Sequence, residues 1–390
     1  MPLDIDRIRA DTPGVQSGLH LGAAGSALAP RPVLAAMQDH LALEAEIGGY
    51  EAHARRAETL DGVYDRVAEL IGAQRREIAL VENATVGWCQ AFYALPFKPG
   101  QRILTSEAEY AANYVAFLQR AKRDGVTVEV VPNDASGRLD PAALEAMIDE
   151  RVALIAITWI PTNCGLVNPA AAVGKIARAR GIPYLLDACQ AVGQMPVDVG
   201  DLNCDFLSAT GRKFLRGPRG TGFLYVREAW LETLEPAMID HFAAPWVAKD
   251  RYDLRPDARR FETWENSYVL RAGLGAAASY AQEIGLEAIQ ERVWGLADSL
   301  RQRLRKLPGA RLYDLGEPAC AIVGFTLEGV TPGALVAALR KKSIFIGASD
   351  PESTRLDSEA RRLPVLLRAA PHYYNTEEEL DRFVTALKAA

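Results

Sequence analysis

Between residues 78 and 226, short apolar runs alternate with amphipathic stretches. Ile78–Val81, Arg102–Thr105, Val126–Val131, Val152–Thr158, Ile182–Leu186, Phe206–Ser208 and Phe223–Val226 read as buried strands. They are short, apolar and bounded by turn residues. Helical periodicity starts between them at Ala84, Ala111, Pro141 and Pro169. Regular alternation of strand and helix implies right-handed βαβ units. The expected fold class is therefore α/β, with a mainly parallel sheet covered by helices on both faces.

Upstream, residues 30–73 carry helical patterning through Val33, Met37, Leu41 and Leu43. A Gly48-Gly49 break follows, then a second amphipathic stretch through Leu60, Val63, Val67 and Leu70. Beyond residue 265 the texture changes. A long helical region, Val269 to Leu304, leads to strands at Ala310–Tyr313 and Ala319–Leu327. A helix over Thr331–Leu339, strands at Ser343–Ile346 and Leu363–Arg368, and a final helix from Thr376 complete the chain. This reads as a smaller C-terminal α+β domain. The expected division is an N-terminal arm at 1–20, a large domain at 21–265 and a small domain at 266–390.

Composition narrows the classes. Hydrophobic residues make up 49% and charged residues 24% of 390 positions, as in a soluble enzyme of two unequal domains. The net charge of −6, without a lysine or arginine block, argues against nucleic acid or an anionic membrane surface as partner. The amino terminus mixes charges from the outset and has no apolar core of a signal peptide. No run is long enough to span a bilayer, so a cytoplasmic protein is expected. Cys89, Cys164, Cys189, Cys204 and Cys320 are scattered, with no C-x-x-C pair and no histidine cluster beside them. No metal site and no disulfide is expected.

The candidate chemistry lies at the strand ends, where open α/β sheets bind their ligands. Asp187 ends the run Ile182–Leu186, and Gln190 follows three residues on. Lys213 closes Ser208-Ala-Thr-Gly-Arg-Lys213 and precedes a glycine-rich stretch. A lysine among small residues, downstream of a strand-end carboxylate, suits an amine that forms an imine with an aldehyde cofactor. The carboxylate then meets the cofactor's ring nitrogen. Lys213 is therefore read as the Schiff-base lysine of pyridoxal 5'-phosphate (PLP), with Asp187 as ring-nitrogen partner and Gln190 as donor to the phenolic oxygen. Glu82-Asn83-Ala84-Thr85 opens a helix, so Ala84 and Thr85 are candidates for the phosphate, joined by Thr210 and Arg212. Tyr110, just past a strand end, is placed to stack on the ring. Gly217, Gly220 and Gly222 precede a strand instead of opening a helix, which excludes a dinucleotide loop.

Together these pieces resemble the class V aminotransferase group of fold-type I PLP enzymes. The order is Ala84-Thr85, Glu109-Tyr110, Thr162-Asn163-Cys164-Gly165, Asp187-Ala-Cys-Gln190, Thr210-Gly-Arg-Lys213, Arg260-Phe-Glu262 and Arg368. The resemblance implies a seven-stranded-type sheet and a homodimer with the active site at the interface. It also implies that Arg260-Phe-Glu-Thr-Trp264-Glu265 approaches the partner's phosphate, and that Arg368 clamps a substrate carboxylate, with Asn163 and His372 as further substrate-binding residues. Departures from the family pattern are Tyr110 in place of a stacking histidine, Arg212 before the lysine, and Thr162 beside Asn163 at the phenolic oxygen. Which of those two makes the contact is open, as is any role of Cys189.

The variant motifs look closest to isopenicillin N epimerase-like proteins and to hercynylcysteine sulfoxide lyase. The expected enzyme works on an amino acid through an external aldimine and a quinonoid, with Lys213 as the proton carrier. β-Elimination from a cysteine-derived substrate is preferred, with epimerisation or transamination as alternatives. A cysteine desulfurase is disfavoured, because the small-domain loop Ile346-Gly-Ala-Ser-Asp-Pro-Glu-Ser-Thr-Arg355 has no cysteine and Cys320 falls in an apolar run. A non-catalytic PLP-fold binding protein is disfavoured by the intact Lys213, Asp187, Gln190 and Arg368.

Overall fold

The computed structural model describes residues 3–389. Residues 1, 2 and 390, the outermost of the expected arm and small domain, lie outside it. A two-residue strand, β1 (Leu19–His20), comes first. The central sheet follows as β2 (Ile78–Val81), β3 (Arg102–Ser106), β4 (Thr127–Val131), β5 (Val152–Thr158), β6 (Tyr184–Asp187), β7 (Phe206–Thr210) and β8 (Gly222–Val226). Its order is β2-β8-β7-β6-β5-β3-β4. The β3–β4, β3–β5, β5–β6 and β6–β7 pairs are parallel, and β8 runs antiparallel to both its neighbours. Every residue of β6, β7 and β8 is buried, which explains why they read as unbroken apolar runs. The chain passes from β4 back over β3 to β5, so the strand order reverses beside β3. The carboxyl ends of β3, β5 and β6 open on that switch point.

The expected elements recur with shifted limits, each for a local reason. Residues 30–73 form four helices, Arg31–Ile47, Gly49–Arg55, Ala57–Asp61 and Val63–Leu70, with Gly48 at φ 91° making the break. The stretch Val269 to Leu304 is two helices, Tyr268–Ile284 and Leu286–Arg305. Gly285 at φ 91° ends the first, and its amide donates to Ala281. A hairpin of β9 (Trp246–Ala248) and β10 (Arg251–Tyr252) was not foreseen; its residues are all exposed. The second sheet is antiparallel, in the order β11 (Ala310–Leu312), β12 (Val323–Leu327), β15 (Leu366–Ala369), β14 (Gly347–Ser349). The expected strand Ser343–Ile346 is divided. Ile344–Phe345, as β13, pairs in parallel with β1, and only the residues beyond it join the second sheet as β14.

Two buried arginines tie these parts together. Arg301, from the helix Leu286–Arg305, bonds Asp314 Oδ2 at 2.6 Å and the carbonyls of Cys320 and Ile322 at 2.6 and 3.0 Å. Asp314 Oδ1 then accepts the amide of Gly165 at 2.9 Å, linking the small sheet to the loop after β5. Arg216, three residues past Lys213, donates to the Leu28 carbonyl at 2.8 Å and to Thr12 Oγ1 at 2.6 Å. Its guanidinium lies 4.9 Å from the ring centres of both Tyr373 and Tyr374. Among the described residues no helix is long and apolar enough to cross a membrane.

The start of the helix Ala84–Ala94 is set by a close backbone approach. A Cβ on Gly222 would lie 2.6 Å from the Ala209 oxygen and 2.9 Å from the Asn83 carbonyl carbon, and neither backbone group can give way. Gly222→Ala is expected to cost about 1–3 kcal/mol, as overpacking of a closed site does. The check is a urea midpoint that falls at constant m-value. Gly49→Ala, where a Cβ meets nothing within 4 Å, is the control, and equal midpoints for the two variants would refute this account.

Candidate active site

Asp187 is the last residue of β6 and is buried. Its Oδ1 accepts the Cys189 amide at 2.9 Å and its Oδ2 accepts Asn113 Nδ2 at 3.0 Å. Each oxygen thus accepts one donor and keeps a lone pair for a further one. Asn113 lies one turn into the helix Ala111–Asp124. Its Nδ2 also donates to Glu109 Oε1 at 2.9 Å. Glu109, just past β3, is buried and accepts from Tyr110 N at 2.9 Å, Thr158 N at 2.9 Å, Thr105 Oγ1 at 3.0 Å and the Thr158 hydroxyl. Burial pushes its carboxyl up to about 7, against the hydrogen bonds from Thr158, Asn113 and Tyr110; the charge of Asp187 adds to the rise.

Lys213 lies in the turn after β7. Among the described residues its ammonium has no hydrogen-bond or ion-pair partner. Its pKa is lowered, first by burial and then, against Cys189 and Asp187, by Arg212 and Arg368. Three cationic side chains therefore converge on one space. Arg368, on β15, donates from Nη1 to the Thr162 carbonyl at 2.8 Å and to Thr162 Oγ1 at 2.5 Å; burial, then Arg212, pushes its pKa down to about 10. Tyr110 caps the helix Ala111–Asp124. Its phenol is raised by burial, Asp187 and Cys189 and lowered by Arg212 and Arg368, so its ring shares that space.

The structure sorts the expected site residues. Lys213, Asp187, Tyr110, Arg212, Arg368, Gln190 and Thr162 are brought together. Gln190 Nε2 donates to the Ala24 carbonyl at 3.1 Å and Thr162 Oγ1 at 3.3 Å, so its donors are engaged and its buried Oε1 is the unpartnered atom. The expectation that it donates to the phenolic oxygen does not match this arrangement. Thr162 faces Gln190 and Arg368, whereas Asn163 turns its amide to Asp357 Oδ2 at 2.8 Å. His372 is not at the site. It is fully buried, bonded to the Phe214 carbonyl at 2.9 Å and stacked on Tyr374 at 5.1 Å and 10°. The Thr210 hydroxyl donates to the Thr221 carbonyl at 3.2 Å, away from an anion. Ala84 and Thr85 open the helix Ala84–Ala94, where Asn83 caps only the Val86 amide at 3.0 Å and leaves the two preceding amides without partners among the described residues. Arg260 is buried on main-chain carbonyls, and of that segment only Trp264 and Glu265 are exposed. Glu109, Asn113 and Thr158 were missed. Glu109 and Asn113 stand four apart at a helix start, which places them on one face, and that spacing was the available signal.

These residues fit PLP. A desolvated lysine without a counter-ion, a strand-end carboxylate with spare lone pairs and two free helix amides match an aldehyde, a ring nitrogen and a phosphate. The buried, unpartnered Ser208 Oγ and Gln190 Oε1 add polar atoms that a dry site leaves unpaired.

Known proteins resemble the chain over nearly its whole length. The profile of the family described as aminotransferase class-V matches residues 19–383. A probable cysteine desulfurase of Methanothermobacter thermautotrophicus is 29% identical over 382 residues, covering 96% of this chain and 95% of its own. The apo cysteine desulfurase of Thermococcus onnurineus NA1 aligns with a TM-score of 0.91 at 27% identity, over 100% of this chain and 98% of that one. A mutant of C-DES with glycine covalently linked to its PLP cofactor gives 0.87 at 23% identity, over 97% and 98%, a likeness of fold. The first two are named cysteine desulfurases. The epimerase or sulfoxide lyase branch expected from the variant motifs is thus not the one these relatives carry.

Lys213→Ala is expected to leave the secondary structure intact and to abolish the borohydride-reducible adduct with PLP. In the unsubstituted protein, adduct formation should set in at a pH below the ordinary 10.5 of a lysine, because the free amine persists at lower pH when the ammonium is destabilised. A reducible adduct surviving in Lys213→Ala would refute the assignment.

Proposed function

The chain belongs to the aminotransferase class-V family, whose fold-type I architecture and PLP dependence it shares, and from that premise we propose a carbon–sulfur lyase acting on cysteine or a cysteine-derived amino acid. The observation that carries this reading is the state of the thiols. Burial raises all five, Cys164 and Cys320 to about 12. None is an activated thiolate able to take sulfur from a substrate. β14 ends on the buried Ser349, paired with Leu366 on β15, the strand that carries Arg368, and the segment 346–355 holds no cysteine.

In this reading, bound PLP supplies an electron sink for negative charge at the substrate's α-carbon. Arg368 binds the substrate carboxylate through its planar fork and fixes which bond faces the lysine. Lys213, poorly solvated and flanked by Arg212 and Arg368, holds its free amine at lower pH and takes the α-proton on Nζ. Asp187 holds a proton on the ring nitrogen. The carbon–sulfur bond then breaks, and sulfur leaves with its electron pair and takes a proton, as a thiol or related acid. The remaining three-carbon enamine takes up one water to give pyruvate and ammonia. The homodimer belongs to the same proposal, with Trp264 on the exposed edge of its segment.

A second reading, cysteine desulfurase, is favoured by the names of the relatives at 27% and 29% identity. It requires a thiol that receives sulfur while alanine is released. The products separate the two. With PLP-loaded protein and a panel of cysteine, cystine, cysteine sulfinate and S-conjugated cysteine sulfoxides, pyruvate and ammonia in equal amounts are expected. Alanine instead of pyruvate, lost on substitution of one cysteine, would overturn the lyase reading in favour of the desulfurase.

A further inference from the structure

The most heavily bonded polar group beside the site is a carboxylate to which the chemistry above gives no part. Glu109 accepts five hydrogen bonds, from Tyr110 N, Asn113 Nδ2, Thr105 Oγ1, Thr158 N and Thr158 Oγ1. These donors come from β3, from the helix start and from the last residue of β5. Thr158 is paired with Asp187 across the β5–β6 ladder, and the Trp159 amide donates to the Asp187 carbonyl at 3.0 Å. The Asn113 amide stands between the two carboxylates, one N–H directed to each, at 2.9 and 3.0 Å.

From this geometry we infer that Glu109 is a positioning residue that acts through Asn113 to hold the Asp187 carboxylate in the rotamer that meets the cofactor's ring nitrogen. The argument turns on the amide. A carboxamide fits its space almost equally well turned over, and hydrogen bonding alone decides which end faces which partner. Turned over, Asn113 would aim Oδ1 at two acceptors. With Glu109 ionised that orientation is excluded, so Asp187 Oδ2 always meets an N–H. The Cys189 amide fixes Oδ1, and together they pin the carboxylate plane.

The groups facing Glu109 are few. Asp187 on β6 opposes its charge, Tyr184 on the same strand and Tyr110 on the helix start are phenols, and the threonines of β3 and β5 are neutral donors. No cation approaches it among its hydrogen-bond and ion-pair partners. With a carboxyl raised by burial to about 7, Glu109 takes up a proton as the pH falls through neutrality, earlier than an exposed carboxyl would. A protonated Glu109 donates from one oxygen and no longer dictates the amide's orientation. The grip on Asp187 therefore loosens on the acid side of neutrality and tightens on the alkaline side.

This inference rests on Asp187 as the partner of the ring nitrogen and is independent of which substrate bond is broken. The test is spectroscopic titration of the apoprotein with PLP across pH, read as the dissociation constant and the pH profile of the visible band. The variants are Glu109→Gln, Asn113→Asp, Asn113→Leu and Asp187→Asn, each checked by circular dichroism. Glu109→Gln and Asn113→Leu should each weaken PLP by about tenfold, the loss of one charge-assisted hydrogen bond. Asn113→Asp, which keeps the shape but swaps donor for acceptor, should weaken it at least as much. The band's change near neutral pH should vanish in Glu109→Gln. The double variant Glu109→Gln, Asn113→Leu should be no worse than either single change, as expected of one path. If Asp187→Asn weakens PLP while folded Glu109→Gln and Asn113→Leu stay within about twofold of the parent with an unchanged pH profile, the positioning role is refuted. If Asp187→Asn itself binds PLP normally, the ring-nitrogen assignment fails and the inference fails with it.

Discussion

The structure depends on satisfying one carboxylate, Asp187, at the end of a strand whose every residue is buried. A buried polar group left without hydrogen-bond partners is costly. Asp187 escapes that because the chain turns back at once and offers the Cys189 amide to one oxygen, while Asn113 from a neighbouring crossover supplies the other. The Asn113 donor is within reach only because β3, β5 and β6 lie side by side with their carboxyl ends in line. The parallel sheet order is thus a condition for satisfying the second carboxylate oxygen. The same constraint explains why the switch point is lined by threonines and an asparagine in place of further apolar residues.

Around that fixed anion the cations are contributed by distant parts of the chain. Lys213 and Arg212 come from the turn after β7, and Arg368 comes from the second sheet. For Arg368 to reach Thr162, that sheet must be held against the loop after β5. Arg301 and Asp314 do this by bonding the Gly165 and Gly324 amides and the Cys320 and Ile322 carbonyls. Arg216 performs the matching task on the other side, gathering Thr12, Leu28, Tyr373 and Tyr374 about one guanidinium. Breaking either knot leaves an arginine buried without its partners, which is costly, so the position of Arg368 is fixed by groups that never touch a ligand.

Much of this was legible in the residues, and the exceptions have physical causes. Strands β6, β7 and β8 announce themselves because a strand buried on both faces is largely apolar, whereas the edge strand β4, with Glu129 and partly exposed, shows itself only by its valines. Lys213, Asp187 and Arg368 stand at strand ends, where a charge has no packing reason to be. The reading failed where a side chain had two possible directions. His372 sits in a polar-looking Pro-His-Tyr-Tyr-Asn segment, yet its ring is stacked on Tyr374 and bonded to Phe214, because only the fold puts an aromatic wall there. Asn163 and Thr162 are adjacent, so they point to opposite sides and only one can meet Arg368. Glu109 looked like a strand terminus. Its part emerges only when β5, forty-nine residues away in sequence, delivers Thr158 beside it.

The same distinction between a residue's type and its surroundings bears on sulfur. Five cysteines in a relative of cysteine desulfurases invite the expectation of a sulfur carrier, but a carrier must be an accessible thiolate. Cys320 has no exposed surface, and its pKa is raised to about 12, first by burial. Cys189 lies beside Lys213 and Arg212, which favour its thiolate, yet burial and Asp187 together outweigh them and the thiol is pushed up. Under the proposed lyase reading, sulfur freed at the β-carbon departs as a free thiol or acid, and the burial that raises the Cys189 and Cys320 thiols works against a competing thiolate.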